Sequence, residues 1–143
     1  MNGSWVHTIT GSKMGNTGMA SLNFHCHAPT CTSMSIWTCP KGMSTEHCGN
    51  ATSAEEAESR GYKLLCKQDP VYGGSGNKAL NGTKFDEPGY IAIPDCFWGS
   101  PEQGLEPLVD TSGLPIFMLK TADATIGHYG EMAGGQPFMP TKA

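Results

Sequence analysis

Short runs that alternate apolar and polar positions, or that are rich in β-branched and aromatic residues, recur along the chain. Glycine and proline are frequent between these runs, and the chain contains 19 Gly and 10 Pro. Several short strands separated by dense turn signals are typical of an antiparallel β-sandwich. The pattern therefore predicts an all-β, jelly-roll-like sandwich, with strands at residues 4–10, 21–27, 34–38, 62–67, 90–93, 116–120 and 124–132.

One segment, residues 39–60, departs from this strand pattern. It begins with turn residues and continues into a short acidic Ala/Glu stretch at residues 53–58. Ser53 followed three residues later by Glu56 is the signature of a capping box at a helix N-terminus. We expect an insertion with one or two helical turns, whose first part can be stapled by Cys39 and Cys48. The rest of residues 1–143 is expected to form one domain around it.

The composition excludes several classes of partner. Hydrophobic residues make up 38% of the chain, charged residues only 15%, and the net charge is −4. The nine Lys and Arg residues are scattered, so no basic stripe is available for nucleic acid or an anionic membrane. No apolar run is long enough to cross a bilayer, and the N-terminus lacks a signal-peptide pattern. We therefore expect a mature, processed or partial chain.

The cysteines and glycosylation sequons indicate an oxidising compartment. Six cysteines, an even number, lack the paired C-x-x-C spacing of structural zinc sites, which favours disulfides whose connectivity the spacing leaves open. Sequons begin at Asn2, Asn50 and Asn81. The sequence predicts an extracellular or secretory location, with an organelle lumen as the alternative. The cysteine positions are Cys26, Cys31, Cys39, Cys48, Cys66 and Cys96.

The main candidate for metal chemistry is the pair His25 and His27. In an extended segment these two residues point to the same face, whereas Cys26 between them points to the opposite face. A solvated histidine pair on a strand is the ordinary alternative. Imidazole together with a thioether suits copper better than zinc or magnesium. The segment that contains His128 and Met132 supplies both ligand types from a predicted strand that a sandwich can lay beside the pair.

Four segments in this order resemble a known pattern. They are the His-x-His pair, residues 61–70 (GYKLLCKQDP), residues 88–99 (PGYIAIPDCFWG), and residues 125–127 (TIG) leading to Glu131-Met132. The order is similar to the C-terminal domain of the copper type II, ascorbate-dependent monooxygenases of the peptidylglycine α-hydroxylating type. In that family the corresponding copper activates oxygen for C–H hydroxylation. The resemblance implies copper as cofactor and His25, His27 and Met132 as its ligands. His128, from the same segment as Met132, is an alternate ligand on the basis of its residue type.

The chain also departs from that family. Those enzymes have a second jelly-roll domain with another copper bound by three histidines, and this chain has no room for it. Ala133 replaces the family cysteine after Glu-Met, so Cys96 needs another partner, and Cys66 on a neighbouring predicted strand is preferred. Catalysis would thus require another domain or subunit. The alternative function is a non-catalytic, disulfide-rich structural or interaction subunit of an extracellular or lumenal assembly.

Overall fold

The computed structural model describes residues 4–10, 18–49, 51–76, 80–123, 125 and 132–139. Strands dominate it, so the predicted all-β class is confirmed. A short helix α1 and a 3-10 turn at Pro101–Gln103 accompany the strands. In chain order the elements are β1 (Ser4–Thr10), β2 (Ser21–Cys26), β3 (Cys31–Thr38), α1 (Ala54–Ser59), β4 (Lys63–Gln68), β5 (Val71–Tyr72), β6 (Ile91–Ala92), β7 (Cys96–Gly99), β8 (Glu106–Pro107), β9 (Ile116–Asp123) and β10 (Ala133–Phe138).

These strands form two four-stranded sheets. The first has the order β1-β9-β3-β4 and is antiparallel throughout. The second has the order β10-β2-β7-β8, in which β2 is antiparallel to both neighbours and β7 is parallel to β8. β5 and β6 form a separate two-stranded ribbon. This arrangement is compatible with the expected jelly roll.

A core fills the space between the two sheets. Strands β2 and β7 of the second sheet and β3 of the first each contribute alternate side chains to it, as expected where two sheets pack face to face. Burying this apolar surface is the dominant favourable contribution to folding. The buried members are Met19, Leu22, Phe24, Cys26, Cys31, Met34, Ile36, Cys96 and Trp98.

The other face of the first sheet is covered by the insertion at residues 39–60. Trp37 of β3 and Phe117 and Leu119 of β9 point away from the inter-sheet core and pack in a second cluster. The insertion contributes Cys39, Cys48, Ala51 and Ala57 to that cluster, and Tyr62 follows it. Trp37 lies in this second cluster, whereas Met34 and Ile36 of the same strand face the inter-sheet core, because β3 is buried on both faces.

Helix α1 begins as the sequence predicts, with one change in its capping. The Ser53 hydroxyl accepts a hydrogen bond from the Glu56 amide at 3.1 Å. The Glu56 carboxylate does not reach back to Ser53 but accepts bonds from the amide and hydroxyl of Thr52, both at 2.8 Å. The Thr52 amide, and then its hydroxyl, lower the pKa of the Glu56 carboxyl by stabilising its charged form. The reciprocal half of the predicted capping box is therefore shifted by one residue.

One predicted strand is shorter than expected, and another lies mostly outside the described residues. The run at 90–93 forms only the two-residue strand β6, which pairs with β5 and joins neither large sheet. The predicted last strand at 124–132 falls mostly outside the described residues, and the described final strand is β10, immediately after Met132. A Cβ built at Gly135 would lie 2.5 Å from the Met118 Cε atom, the flexible end of that side chain, so β10 lies directly against the core at this position.

All six cysteines are paired, as Cys26–Cys31, Cys39–Cys48 and Cys66–Cys96. The local Cys39–Cys48 staple and the preferred Cys66–Cys96 pairing are both confirmed. Cys66 lies in β4 and Cys96 in β7, so their disulfide joins the two sheets. Cys26 ends β2 and Cys31 begins β3, so the shortest loop also joins one sheet to the other.

We predict unequal losses of stability when single disulfides are removed. The Cys66–Cys96 loop spans 30 residues and the Cys26–Cys31 loop only 5. Because loop-closure entropy grows with loop length, the double alanine variant at Cys66 and Cys96 should lose about 4 kcal/mol of unfolding free energy, and the variant at Cys26 and Cys31 about 2 kcal/mol. Urea denaturation under non-reducing conditions measures both. Equal losses, or the reverse order, would contradict this account.

Candidate metal centre

Strand β2 separates the histidine pair from the core by simple alternation. Leu22, Phe24 and Cys26 are buried between the sheets, while Asn23 and His25 are exposed on the outer face of the second sheet. Cys26 is oxidised and faces the interior, so its sulfur is unavailable as a metal ligand. This face of β2 presents imidazole without a competing thiolate.

The two imidazoles meet on that outer face. The Nε2 atoms of His25 and His27 lie 3.1 Å apart, at a hydrogen-bond distance at which one nitrogen donates and the other accepts. Their ring centroids are 5.1 Å apart and the ring planes are nearly perpendicular, at 87°. An ion about 2 Å from each of two imidazole nitrogens holds those nitrogens about 3 to 4 Å apart. The observed separation therefore fits two nitrogens that share one ion.

His27 lies just beyond β2 and is held by the turn that leads to β3. The Cys31 amide donates to the His27 carbonyl at 3.3 Å, and the Cys26–Cys31 disulfide closes the same turn. The residues on both sides of the turn are thus tied together at the backbone and through sulfur. This constraint keeps the two rings on one face after the regular strand has ended.

Met132 enters the same neighbourhood through the pairing of β10 with β2. Ala133 is opposite Cys26 and Gly134 is opposite His25, so Met132, one residue before β10, occupies the position that this register sets opposite His27. Ala133 packs against the inter-sheet core, which places the adjacent Met132 on the outer face by alternation. The Met132 side chain is 53% exposed. It is therefore not core filler, the ordinary role of a methionine.

Gly134 leaves the space beside His25 open. A Cβ built on Gly134 would meet the His25 Cβ atom at 3.9 Å and no other heavy atom closer than 4 Å beyond its chain neighbours. Farther along the same face, Asn23 donates to the Asp95 carboxylate at 2.7 Å. The outer face of the second sheet thus carries two imidazoles, an exposed thioether position and a gap between them.

Two further histidines were considered as ligands. His128 lies outside the described residues, so the structure does not place this alternate ligand. His47 is exposed in the insertion, and its Nδ1 atom is 2.6 Å from the Ser44 hydroxyl. Within the described ranges, no three or more His, Cys, Asp or Glu side chains form a group that could hold a metal. The candidate centre is accordingly two histidines plus a thioether.

Lys120 is the functional candidate that the sequence reasoning missed. It lies in β9 opposite Met34 of β3, has no exposed surface, and its Nζ atom donates to the Met132 carbonyl at 2.8 Å. The signal was present in the alternation of the strand, because Lys120 follows Met118 by two residues and shares its inward face. The predicted strand at 116–120 ends at this lysine, whereas β9 continues to Asp123.

The structure places one of the three sequons. Asn81 is exposed in a turn, and the Thr83 hydroxyl of its sequon donates to the Leu80 carbonyl at 2.7 Å. Asn2 and Asn50 lie outside the described residues. Among the described helices, none is long and apolar enough to span a membrane. Three disulfides in a small domain are compatible with an extracellular or secretory location.

We predict that Asn81 carries an N-linked glycan when the chain is expressed through a secretory pathway. The asparagine is accessible in a turn and its sequon is intact, so the Asn81→Gln variant should lose a gel-mobility shift that endoglycosidase also removes. Asn23→Gln is the matched control, since Asn23 is exposed but lacks a sequon. An unmodified Asn81 in mass spectra of the secreted protein would contradict the prediction.

The chain matches no family model, no curated protein and no solved structure. The geometry of its own residues is therefore the basis for a functional assignment.

Proposed function

We propose that this chain is a secreted copper-binding β-sandwich domain in which His25, His27 and Met132 hold one copper ion. The observation that carries the proposal is the 3.1 Å separation of the Nε2 atoms of His25, on the outer face of β2, and His27, just beyond that strand. The register of β10 on β2 adds the Met132 position opposite His27. The Met132 position follows from backbone pairing and is therefore a property of the folded domain.

Copper is favoured over other ions by the donor set. Two imidazoles and a thioether are borderline and soft ligands, which suit copper and especially its cuprous state. Magnesium and calcium prefer oxygen ligands, and structural zinc sites are closed by four nitrogen or thiolate ligands. The oxidised Cys26 supplies no thiolate to this face. A site with few ligands and one sulfur is therefore best matched by Cu(I).

The resemblance to copper type II monooxygenases extends the proposal to a role. In that family a copper of this kind activates oxygen, and a second copper domain supplies electrons. This chain would correspond to the oxygen-activating half, and we propose that it requires another domain or subunit for catalysis. In isolation it would bind the ion through its own residues and present it on the outer face of the second sheet.

We predict that the purified protein binds one equivalent of Cu(I) and that each proposed ligand is needed. His25→Ala and His27→Ala should each weaken Cu(I) binding by more than about 100-fold. Removing a group that only hydrogen-bonds to a metal ligand already lowers metal affinity by about 10–100-fold, and loss of the ligand itself should cost more. Met132→Leu removes the sulfur at nearly constant volume and should weaken Cu(I) binding by about tenfold. Competition with a chromophoric Cu(I) chelator measures all three affinities.

His47→Ala is the matched control, because His47 is an exposed histidine of the insertion and should leave Cu(I) affinity unchanged. Circular dichroism and thermal melting verify that every variant is folded. A metal-free protein at micromolar Cu(I), or a site that survives both histidine substitutions, would refute the copper proposal.

The exposed aromatic residues of the second sheet favour a second candidate function, an interaction subunit. Phe97 is 58% exposed and Phe138 is 51% exposed, and both pair with Ser21 from opposite sides of β2. They therefore form one cross-strand row on the outer face. Exposed aromatic residues on one sheet face are typical of surfaces that contact another protein. This role requires no metal.

For this second function we predict that the chain self-associates. The native mass in sedimentation equilibrium should exceed that of the 15.2 kDa monomer, and a Phe97→Ser/Phe138→Ser variant should return to the monomer because it removes the apolar row. Leu64→Ser is the control, since Leu64 is an exposed apolar residue of the other sheet. A stable monomer at high protein concentration would count against this role.

A further inference from the structure

Lys120 is a buried cation on the inner face of the first sheet. It pairs with Met34 of β3 and has no exposed surface, so its side chain lies on the inner face of the first sheet. Burying an ammonium group is unfavourable unless its donors find acceptors. A methionine or leucine would fill the same inner position without that cost. We therefore look for a role of the Lys120 ammonium other than packing.

The ammonium crosses from one sheet to the other. The Lys120 Nζ atom donates to the Met132 carbonyl at 2.8 Å, and Met132 immediately precedes β10 of the second sheet. β9, which carries Lys120, is an inner strand of the first sheet and pairs with both β1 and β3. A well-supported strand thus holds the backbone at the point where Met132 begins its approach to β2.

The residue that is held has an exposed side chain. Met132 is 53% exposed and precedes β10, which is an end strand of its sheet. The register of β10 sets its position opposite His27, and the Lys120 hydrogen bond adds a second constraint at the same residue. Two backbone constraints on one solvent-exposed methionine are more than the sheet needs for its own pairing.

We propose that Lys120 is a positioning residue that fixes Met132 so that its thioether stands beside His25 and His27. This inference rests on the proposed copper function and adds the interaction that determines selectivity for the cuprous ion. Because Cu(I) prefers the soft sulfur ligand, correct placement of Met132 raises affinity for Cu(I) more than for Cu(II), which the imidazoles alone bind. If Lys120 only joined the two sheets, its replacement would change the affinities for Cu(I) and Cu(II) alike.

The test measures Cu(I) and Cu(II) affinities in parallel. Lys120→Met keeps the side-chain length and removes the donor, and it should lower Cu(I) affinity by about tenfold while Cu(II) affinity stays within about twofold. Combining it with Met132→Leu should cause no further loss, because both changes remove the same sulfur contribution. Lys67→Met, at an exposed lysine of β4, is the matched control and should change neither affinity.

A second variant covers the case in which Lys120→Met does not fold. Lys120→Gln keeps a polar group but is too short to reach the Met132 carbonyl, and it should show the same selective loss of Cu(I) affinity. Lys120→Arg retains a donor long enough to reach the Met132 carbonyl and should keep most of the wild-type Cu(I) affinity. The inference is overturned if folded Lys120→Gln or Lys120→Met binds Cu(I) like wild type. It is also overturned if the loss of Cu(I) affinity in either variant adds to that of Met132→Leu.

A metal-free measurement separates failure of this inference from failure of the copper proposal. In protein labelled at the methionine methyl carbons, the Met132 resonance should shift or broaden in the Lys120 variants, while that of Met43 in the insertion should stay unchanged. If wild type binds no copper, the copper proposal fails and the methyl resonance still decides whether Lys120 positions Met132. If wild type binds Cu(I) and the resonance is unaffected, the copper proposal stands and the role of Lys120 is refuted.

Discussion

The covalent joining of the two sheets is the constraint on which the arrangement of this domain depends. Cys66–Cys96 connects β4 to β7, and Cys26–Cys31 connects the end of β2 to the start of β3. A chain of 143 residues rich in glycine and proline has few long strands with which to bury a large core. Disulfides limit the freedom of its unfolded state and so offset that weakness. His25 and His27 flank Cys26, so one of the bonds that join the sheets lies next to the histidine pair in the chain.

The first sheet is the structural centre because it is covered on both faces. Its inner face meets the second sheet, and its outer face meets the insertion through Trp37, Phe117 and Leu119. The outer face of the second sheet carries the exposed histidine His25, the exposed Met132 and two exposed phenylalanines. The first sheet is thus enclosed on both sides, whereas the outer face of the second sheet is open to solvent at these residues.

Features that depend on residues close together in the chain could be predicted from the sequence, whereas contacts between distant residues could not. The alternation in β2 placed His25 and Cys26 on opposite faces, and the Ser53 cap was correctly located, because both depend on neighbouring residues alone. Strand β10 was not predicted because Gly134, Gly135 and Pro137 carry no local strand signal, and β10 forms through its pairing with β2. The contact between Lys120 and Met132 joins residues of different sheets, and no local pattern reveals such a contact.

Gly134, opposite His25 on β10, has a kinetic consequence. Because it bears no side chain and His25 is exposed, the imidazole is reached directly from solvent without displacement of any strand. An ion held there would exchange with chelators, or pass to another protein, at a rate set by bond breaking at the ligands rather than by unfolding of the domain. The disulfide-bonded framework could then be very slow to open while its surface ion remained labile.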